Sequence, residues 1–273
     1  MNGKVYLVGA GPGDPELLTV KALRTLRIAD VVLHDGLVTA EVLALIPSSA
    51  RVQNVGKRCG NKAIGQEEIN RLLVQYASEG LTVVRLKSGD PVVFGRAGEE
   101  IEALRKADID VEVVPGITAA LGAAAAAQIP LTHRRVSSAV LFLTGHHSEE
   151  KDSPGWPQQI SADATLVIYM PGQEYLGTSR RLLAAGIRPN TACAIVSQAT
   201  SNRQRVYRST VGEIAKAPRL PGPTLLVVGD VVRFAADTVL SDYPRYGFQL
   251  HDEARSLPAL SVPQIEERQE NEA

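Results

Sequence analysis

Several common classes of protein are set aside by what this chain has little of. Its 273 residues include two cysteines, Cys59 and Cys193, with no C-x-x-C pair and no histidine at ligand spacing. Neither a disulfide framework nor a zinc site is suggested, and both read as ordinary thiols of a reducing compartment. Charge of one sign is also lacking: 29 Lys and Arg against 30 Asp and Glu leave a net charge of −1. Proteins that bind nucleic acid or membrane surfaces usually carry a basic excess, so neither partner is expected, although a local basic pocket stays open. No charged-then-apolar leader opens the sequence, and no unbroken apolar run of about 18 residues occurs. A soluble, cytoplasmic protein is expected. The most informative absence is a lysine. Residues 8–15 read VGAGPGDP, and a phosphate loop would place Gly-Lys-Ser or Gly-Lys-Thr at such a turn, where this chain has Asp14.

What is present is an α/β pattern. At 273 residues the chain is long enough for one large or two ordinary domains, and its 44% hydrophobic content is normal for a globular protein. Short β-branched runs at 4–8, 31–33, 51–55, 82–86 and 111–114 alternate with helical patterns at 17–28, 67–78 and 98–106, which predicts a parallel sheet. In the first helix Asp14 is expected as the cap and Pro15 in the first turn, with Leu18, Ala22, Leu26 and Ala29 on one face. After Pro115-Gly116 an alanine-rich helix is expected over 118–128. A second αβ series follows at 140–144, 165–170, 178–185, 192–197 and 224–228. The chain is therefore divided into an N-terminal α/β domain over 1–115 and a C-terminal α/β domain over 116–241. The tail over 242–273 is polar and expected to be disordered. Residues 149–156 read as a solvated loop.

Ligands of open α/β sheets bind outside the carboxyl ends of the strands, and the glycine turn lies at such an end. Its G-x-G-x-G spacing is not the G-x-G-x-x-G of a dinucleotide fingerprint, so by itself it is either a ligand loop or only a tight turn. A dinucleotide-dependent oxidoreductase is further disfavoured because Asp30 and Asp35 only superficially fill the place of the ribose-binding acid. A second loop, KSGDP at 87–91, again puts Gly, Asp and Pro at a strand's carboxyl end. Two acid-bearing loops suit a ligand without phosphate that carries positive charge or hydroxyl donors, such as S-adenosylmethionine.

The motifs then match a family. Residues 7–38 (LVGAGPGDPELLTVKALRTLRIADVVLHDGLV) and 85–100 (RLKSGDPVVFGRAGEE) resemble the two signatures of the tetrapyrrole methylases, most closely the branch acting on uroporphyrinogen III. NVGKRCG at 54–60, QEEIN at 66–70, residues 113–134 and Thr144-Gly145-His146 agree with them, collinearly from about residue 5 to 234. The resemblance implies the two-domain tetrapyrrole methylase fold, with a ligand cleft between two αβα domains, and a homodimer. It also implies S-adenosyl-L-methionine as methyl donor, converted to S-adenosyl-L-homocysteine. The implied reaction is two successive C-methylations of uroporphyrinogen III to precorrin-2, toward sirohaem, cobalamin or haem d1, with no metal.

By motif match, the resemblance assigns the adenosylmethionine site to Pro12, Ser88, Gly89, Asp90, Val93, Thr118, Ala119, Met170 and Ala199. Met170 on an apolar strand is equally read as core. Asp35 and Lys57 match the family's proton acceptor and proton donor, the alternative for each being a solvated loop charge. Arg96 and Glu99 match a pair placed at the tetrapyrrole, with Arg96 also assigned to substrate positioning. Eight substrate carboxylates call for local cations, and Lys57, Arg58, Arg134, Arg135, Arg203 and Arg205 are further candidates. His146 and His147 read as structural. Three positions depart from the family pattern: Gly36 where arginine is common, Ser88 for glycine, and Ala97 for glycine. Ser88 is expected to be tolerated only if its φ is negative. From the chain's extent a monofunctional methyltransferase is expected, without a fused dehydrogenase and chelatase module. A methylase acting on a later precorrin and a non-catalytic adenosylmethionine-binding regulator are the remaining alternatives.

Overall fold

In a computed structural model of the chain, the described residues are 2–56, 64–145 and 155–235. The first sheet is built from β1 (Lys4–Gly9), β2 (Val31–His34), β3 (Arg51–Asn54), β4 (Val83–Lys87) and β5 (Asp110–Val114). They lie in the order β3-β2-β4-β1-β5, with every neighbouring pair parallel. Parallel sheets need both faces covered, and the pleat divides the apolar residues accordingly. Val5, Leu7, Val31, Leu33 and Val83 pack with Leu72 and Leu73 of α3 (Gln66–Ser78) and Leu104 of α4 (Ala97–Lys106). On the other face Val8, Val32, Val84 and Leu86 pack with Ala22 and Leu26 of α1 (Val20–Arg27) and Val42 of α2 (Ala40–Leu43).

α1 starts later than the sequence pattern predicts. Asp14 caps a separate 3-10 turn, Pro15–Leu17, by accepting the Glu16 N–H at 2.9 Å. The chain then extends at Leu18, and Thr19 caps α1 by accepting the Ala22 N–H at 3.1 Å. Two cap residues compete here, and the one next to the apolar stripe begins the helix proper.

The second sheet contains β6 (Ala139–Thr144), β7 (Ala164–Tyr169), β8 (Ala192–Ser197), β9 (Arg205–Thr210) and β10 (Thr224–Val228), in the order β6-β7-β10-β8-β9. Only β6 and β7 are parallel, since β10 inserts antiparallel between β7 and β8, and β9 pairs antiparallel with β8. The second series is thus not a repeat of the first. β9 escapes the sequence reading because RVYRST has no apolar run; it is an edge strand with Arg205 and Arg208 exposed, a pattern that discourages further pairing. One face of the sheet packs on Ala120 and Ala123 of α5 (Ala119–Ala126), the other on Leu182 of α6 (Leu176–Ala184).

The chain passes from the first sheet to the second between Val114 and Ala139, and the described residues cluster as one compact unit. The tail expected from residue 242 lies outside the described residues, as does most of the expected loop at 149–156. Among the described residues no helix is long and apolar enough to cross a membrane.

Candidate active site

β1 and β4 are neighbours, yet the chain leaves β1 for the face covered by α1 and leaves β4 for the face covered by α4. Such a divergence opens a crevice at the strands' carboxyl ends, and both glycine loops sit there. They are bridged, with the Gly11 N–H donating to the Gly89 carbonyl at 3.1 Å and the Gly89 N–H donating to the Gly11 carbonyl at 2.7 Å. The Pro115-Gly116 turn closes on them so tightly that a Cβ on Gly116 would lie 2.4 Å from the Gly89 carbonyl oxygen. Pro12 rests against α5, where a Cβ on Gly122 would lie 2.7 Å from the proline ring. Asp90 braces the junction: Oδ1 accepts the Val92 N–H at 2.9 Å and Oδ2 the Gly116 N–H at 3.0 Å. The acids that pointed to a cationic ligand therefore bind main chain first, Asp14 at its turn and Asp90 here. Ser88 stays outside the positive-φ region while Gly89 beside it has φ 68°, which explains why a hydroxymethyl is accommodated.

The loops of the second sheet come to the same place. The Tyr169 hydroxyl, at the end of β7, is 2.5 Å from Thr118 Oγ1 and accepts the Ala120 N–H at 3.2 Å, tying the sheet to the start of α5. Burial pushes this phenol above its ordinary range. Phe94, from the loop after β4, packs its ring 4.9 Å from that of Tyr169, and Val93 packs in the same cluster. Met170 is not core: the strand ends before it, its φ is 49°, and its side chain is exposed. Ala199 lies between Gln198 and Thr200, with φ 47° and 64°. Left-handed non-glycine residues are uncommon and gather at functional sites. Here Phe94, Arg96, Met170, Gln198 and Thr200 all lie in loops after β4, β7 and β8. Thr200 Oγ1 is buried without a partner, 3.7 Å from where a Cβ on Gly13 would sit. The sequence motifs thus bring together Pro12, Gly89, Asp90, Val93, Thr118, Ala119 and Ala199.

The charged side of the crevice begins at Asp35, directly after β2. Its Oδ1 lies 2.5 Å from Arg85 Nη2, and its Oδ2 lies 3.4 Å from the Ser88 N–H nitrogen. Arg96 stands at the N-cap position of α4 with φ 56°, and its guanidinium holds Glu99 in a fork at 2.7 and 2.6 Å at the surface. Arg134, Arg135, Arg203 and Arg205 are exposed. Lys57, Arg58, His146 and His147 lie outside the described residues.

Behind Asp35 is a buried group that the motif assignments missed. Arg85 Nε donates to Glu100 Oε1 at 3.0 Å, and Lys87 Nζ lies 2.9 Å from both Glu100 oxygens. Arg85, Lys87 and Glu100 are all buried. Burial, reinforced by the neighbouring Arg85 charge, pushes the Lys87 ammonium below its ordinary range despite the Glu100 contact. A signal was available: Val83, Arg85 and Lys87 share one face of a strand, and Ala97, Glu100 and Leu104 one stripe of a helix, so charge interrupts two apolar faces that must meet.

A crevice walled by loops of two sheets, with bridged glycine turns that lack the phosphate and dinucleotide spacings, defines an α/β ligand-binding enzyme of its own type. A family model described as Tetrapyrrole (Corrin/Porphyrin) Methylases matches residues 4–215; the chain belongs to this family and is a methyltransferase. A siroheme synthase from Hahella chejuensis is 49% identical over 233 residues, covering 84% of this chain and 50% of that protein. The chain thus spans about half the length of the curated relatives it matches. A crystal structure of uroporphyrin-III-C-methyltransferase from Thermus thermophilus shares 43% identity and a TM-score of 0.72, covering 85% of this chain and 95% of that one. The Thermus enzyme complexed with S-adenyl homocysteine gives a TM-score of 0.73 at 41% identity, covering 85% and 99%.

Proposed function

We propose that this chain is an S-adenosylmethionine-dependent methyltransferase that methylates uroporphyrinogen III at two carbons in succession, giving precorrin-2. The observation that carries the reading is the bridged pair of glycine loops meeting Thr200 and the Tyr169–Thr118 tie from the second sheet, in a fold matched by an enzyme complexed with S-adenyl homocysteine. The residues present fit such a ligand. Main chain at Gly11 and Gly89 allows close approach, the Met170 side chain is exposed, and the unpartnered Thr200 hydroxyl offers a polar contact. Pro12, Ser88, Gly89, Asp90, Val93, Thr118, Ala119, Met170 and Ala199 would hold it. A soluble, cytoplasmic homodimer of two-domain subunits, with the cleft between domains and no nucleic-acid or membrane partner, completes the proposal. The siroheme synthase relatives favour the sirohaem branch among the routes from precorrin-2.

The bound donor supplies an electrophilic sulfonium methyl. Transfer of that methyl to a substrate carbon would release S-adenosylhomocysteine and leave the substrate a proton to shed. Asp35 accepts that proton and Lys57 serves as donor, while Arg96, held by Glu99, positions the tetrapyrrole through its carboxylates. Holding carbon and methyl in line supplies much of the acceleration, and a placed base contributes about 10²–10⁴-fold.

The test is anaerobic incubation with uroporphyrinogen III and methyl-labelled S-adenosylmethionine, counting methyl groups per tetrapyrrole by mass spectrometry. Two are expected; one would locate a weakened grip at Gly36, and none would overturn the substrate. Arg96→Ala is expected to abolish turnover and spare S-adenosylhomocysteine binding measured by calorimetry. Loss of both in a folded protein would move Arg96 out of the tetrapyrrole site.

A further inference from the structure

We propose that Arg85 is the positioning residue for Asp35: it holds one oxygen of that carboxylate in a frame fixed by the buried Glu100–Lys87 pair and leaves the other oxygen to take the substrate proton. The proposal rests on the reading of Asp35 as proton acceptor. A guanidinium presents its N–H groups in a rigid planar fork, and here each of its three nitrogens is engaged. Nε donates to Glu100 at 3.0 Å, Nη1 is shared by the carbonyls of Leu33 and Leu86 at 3.3 Å each, and Nη2 meets Asp35 Oδ1 at 2.5 Å. Two strands, β2 and β4, and the helix α4 therefore define the plane in which Asp35 is gripped.

The group behind the fork is closed. Glu100, with no exposure, takes both contacts from Lys87 and a further N–H from Gln66 at 3.3 Å. Two cations face two carboxylates, and only Asp35, with a side chain 27% exposed, reaches solvent. Its two oxygens are inequivalent. Oδ1 takes a short charge-assisted contact, whereas among the described residues Oδ2 meets only the long 3.4 Å approach of the Ser88 N–H, from the loop that lines the crevice. A contact that long leaves the lone pairs of Oδ2 available. Well-packed apolar residues would give equal or greater stability than buried ions, so stability does not account for an arginine here. Orientation of Asp35 does.

The test is a double-mutant cycle on the full chain, with kcat, KM for uroporphyrinogen III and S-adenosylhomocysteine affinity read for Arg85→Gln, Arg85→Lys, Asp35→Asn and the Arg85→Gln/Asp35→Asn pair. Arg85→Gln is expected to lower kcat at least about tenfold, the scale of a misplaced general base, with KM and cofactor affinity nearly unchanged. In the Asp35→Asn background it is expected to have no further effect on kcat, because residues acting as one unit are not additive. Arg85→Lys, which keeps the charge and loses the fork, is expected to restore part of the rate. It also serves as the test variant if Arg85→Gln does not fold. Multiplying losses, or a wild-type rate for Arg85→Lys, would overturn the proposal while leaving Asp35 as acceptor. An unslowed Asp35→Asn would instead sink the acceptor reading and this proposal with it.

Discussion

The central strand beside β1 in the first sheet, β4, sets Val83, Arg85 and Lys87 on one face, whereas the central strand of the second, β10, sets Leu226 and Val228 on one face and Leu225 and Val227 on the other. The contrast extends beyond these strands. His34, Arg85, Lys87, Asp90 and Glu100 are buried in the first half, while the buried polar residues of the second half, among the described ones, are hydroxyls such as Ser137, Thr165 and Ser179. Those hydroxyls are satisfied locally, Ser137 with Thr165 at 2.8 Å and Ser179 with the Val211 carbonyl at 2.7 Å. One half carries ions in its interior next to the candidate base. The other has an apolar interior and contributes to the site through strand-end loops.

The largest effect should come from breaking the ionic interior. Glu100→Ala takes the carboxylate from Lys87 and leaves Arg85 with Asp35 alone, and removing one partner of a buried pair costs about 3–5 kcal/mol, measurable by urea unfolding. The matched change in the second half, Leu182→Ala in the cluster against α6, should cost about 2–5 kcal/mol by leaving a cavity. The two differ in how they are rescued. Replacing Arg85, Lys87 and Glu100 together with apolar residues of similar volume should recover the stability and still leave methyl transfer slow. Activity returning with stability would reduce the ionic group to packing.

A smaller loss is expected where the halves are tied. Tyr169→Phe removes the hydroxyl that meets Thr118 and Ala120, and leaving buried polar groups unpaired costs about 1–3 kcal/mol. Because those partners begin α5, S-adenosylhomocysteine affinity should weaken as well. A stability loss with unchanged affinity would separate this tie from the ligand site.

How much of this was legible in the sequence follows the same division. That the first sheet is parallel could be read because β1, β2 and β4 are short β-branched runs separated by amphipathic helices, though their order in it could not, and the glycine loops could be read because strand ends and turn residues are local signals. The second sheet was legible in four of its strands but not in its directions, since antiparallel insertion of β10 depends on a long-range pairing that no local pattern records. β9 was missed because an edge strand needs no apolar run. Asp14 and Asp90 were recognised as important, but their hydrogen bonds to main chain show only in three dimensions. The Arg85–Glu100 contact was hidden for another reason: each residue interrupts its own pattern, and neither interruption names its partner 15 positions away.

The smallest effect expected is a difference in alkaline titration between the halves. Burial and the Arg85 charge push Lys87 below the ordinary 10.5 of a lysine. Between that lowered value and 10.5 the native state holds fewer protons than the unfolded chain, so this residue makes stability rise with pH. Cys193, buried in the apolar core of the second half, has its thiol pushed up to about 12 from 9.0 by burial. Across that window the native state holds more protons than the unfolded chain, so this residue makes stability fall as pH rises, its contribution being complete below 9 and lost by about 12. Each slope is bounded by about 1.4 kcal/mol per pH unit for one proton. Urea unfolding from pH 8 to 10.5 should therefore show Lys87→Met losing a rise and Cys193→Ala losing a fall, relative to wild type. Parallel curves for wild type and Lys87→Met would mean that Glu100 fully offsets the burial of the ammonium, and the ionic interior would then be as insensitive to alkali as an apolar one.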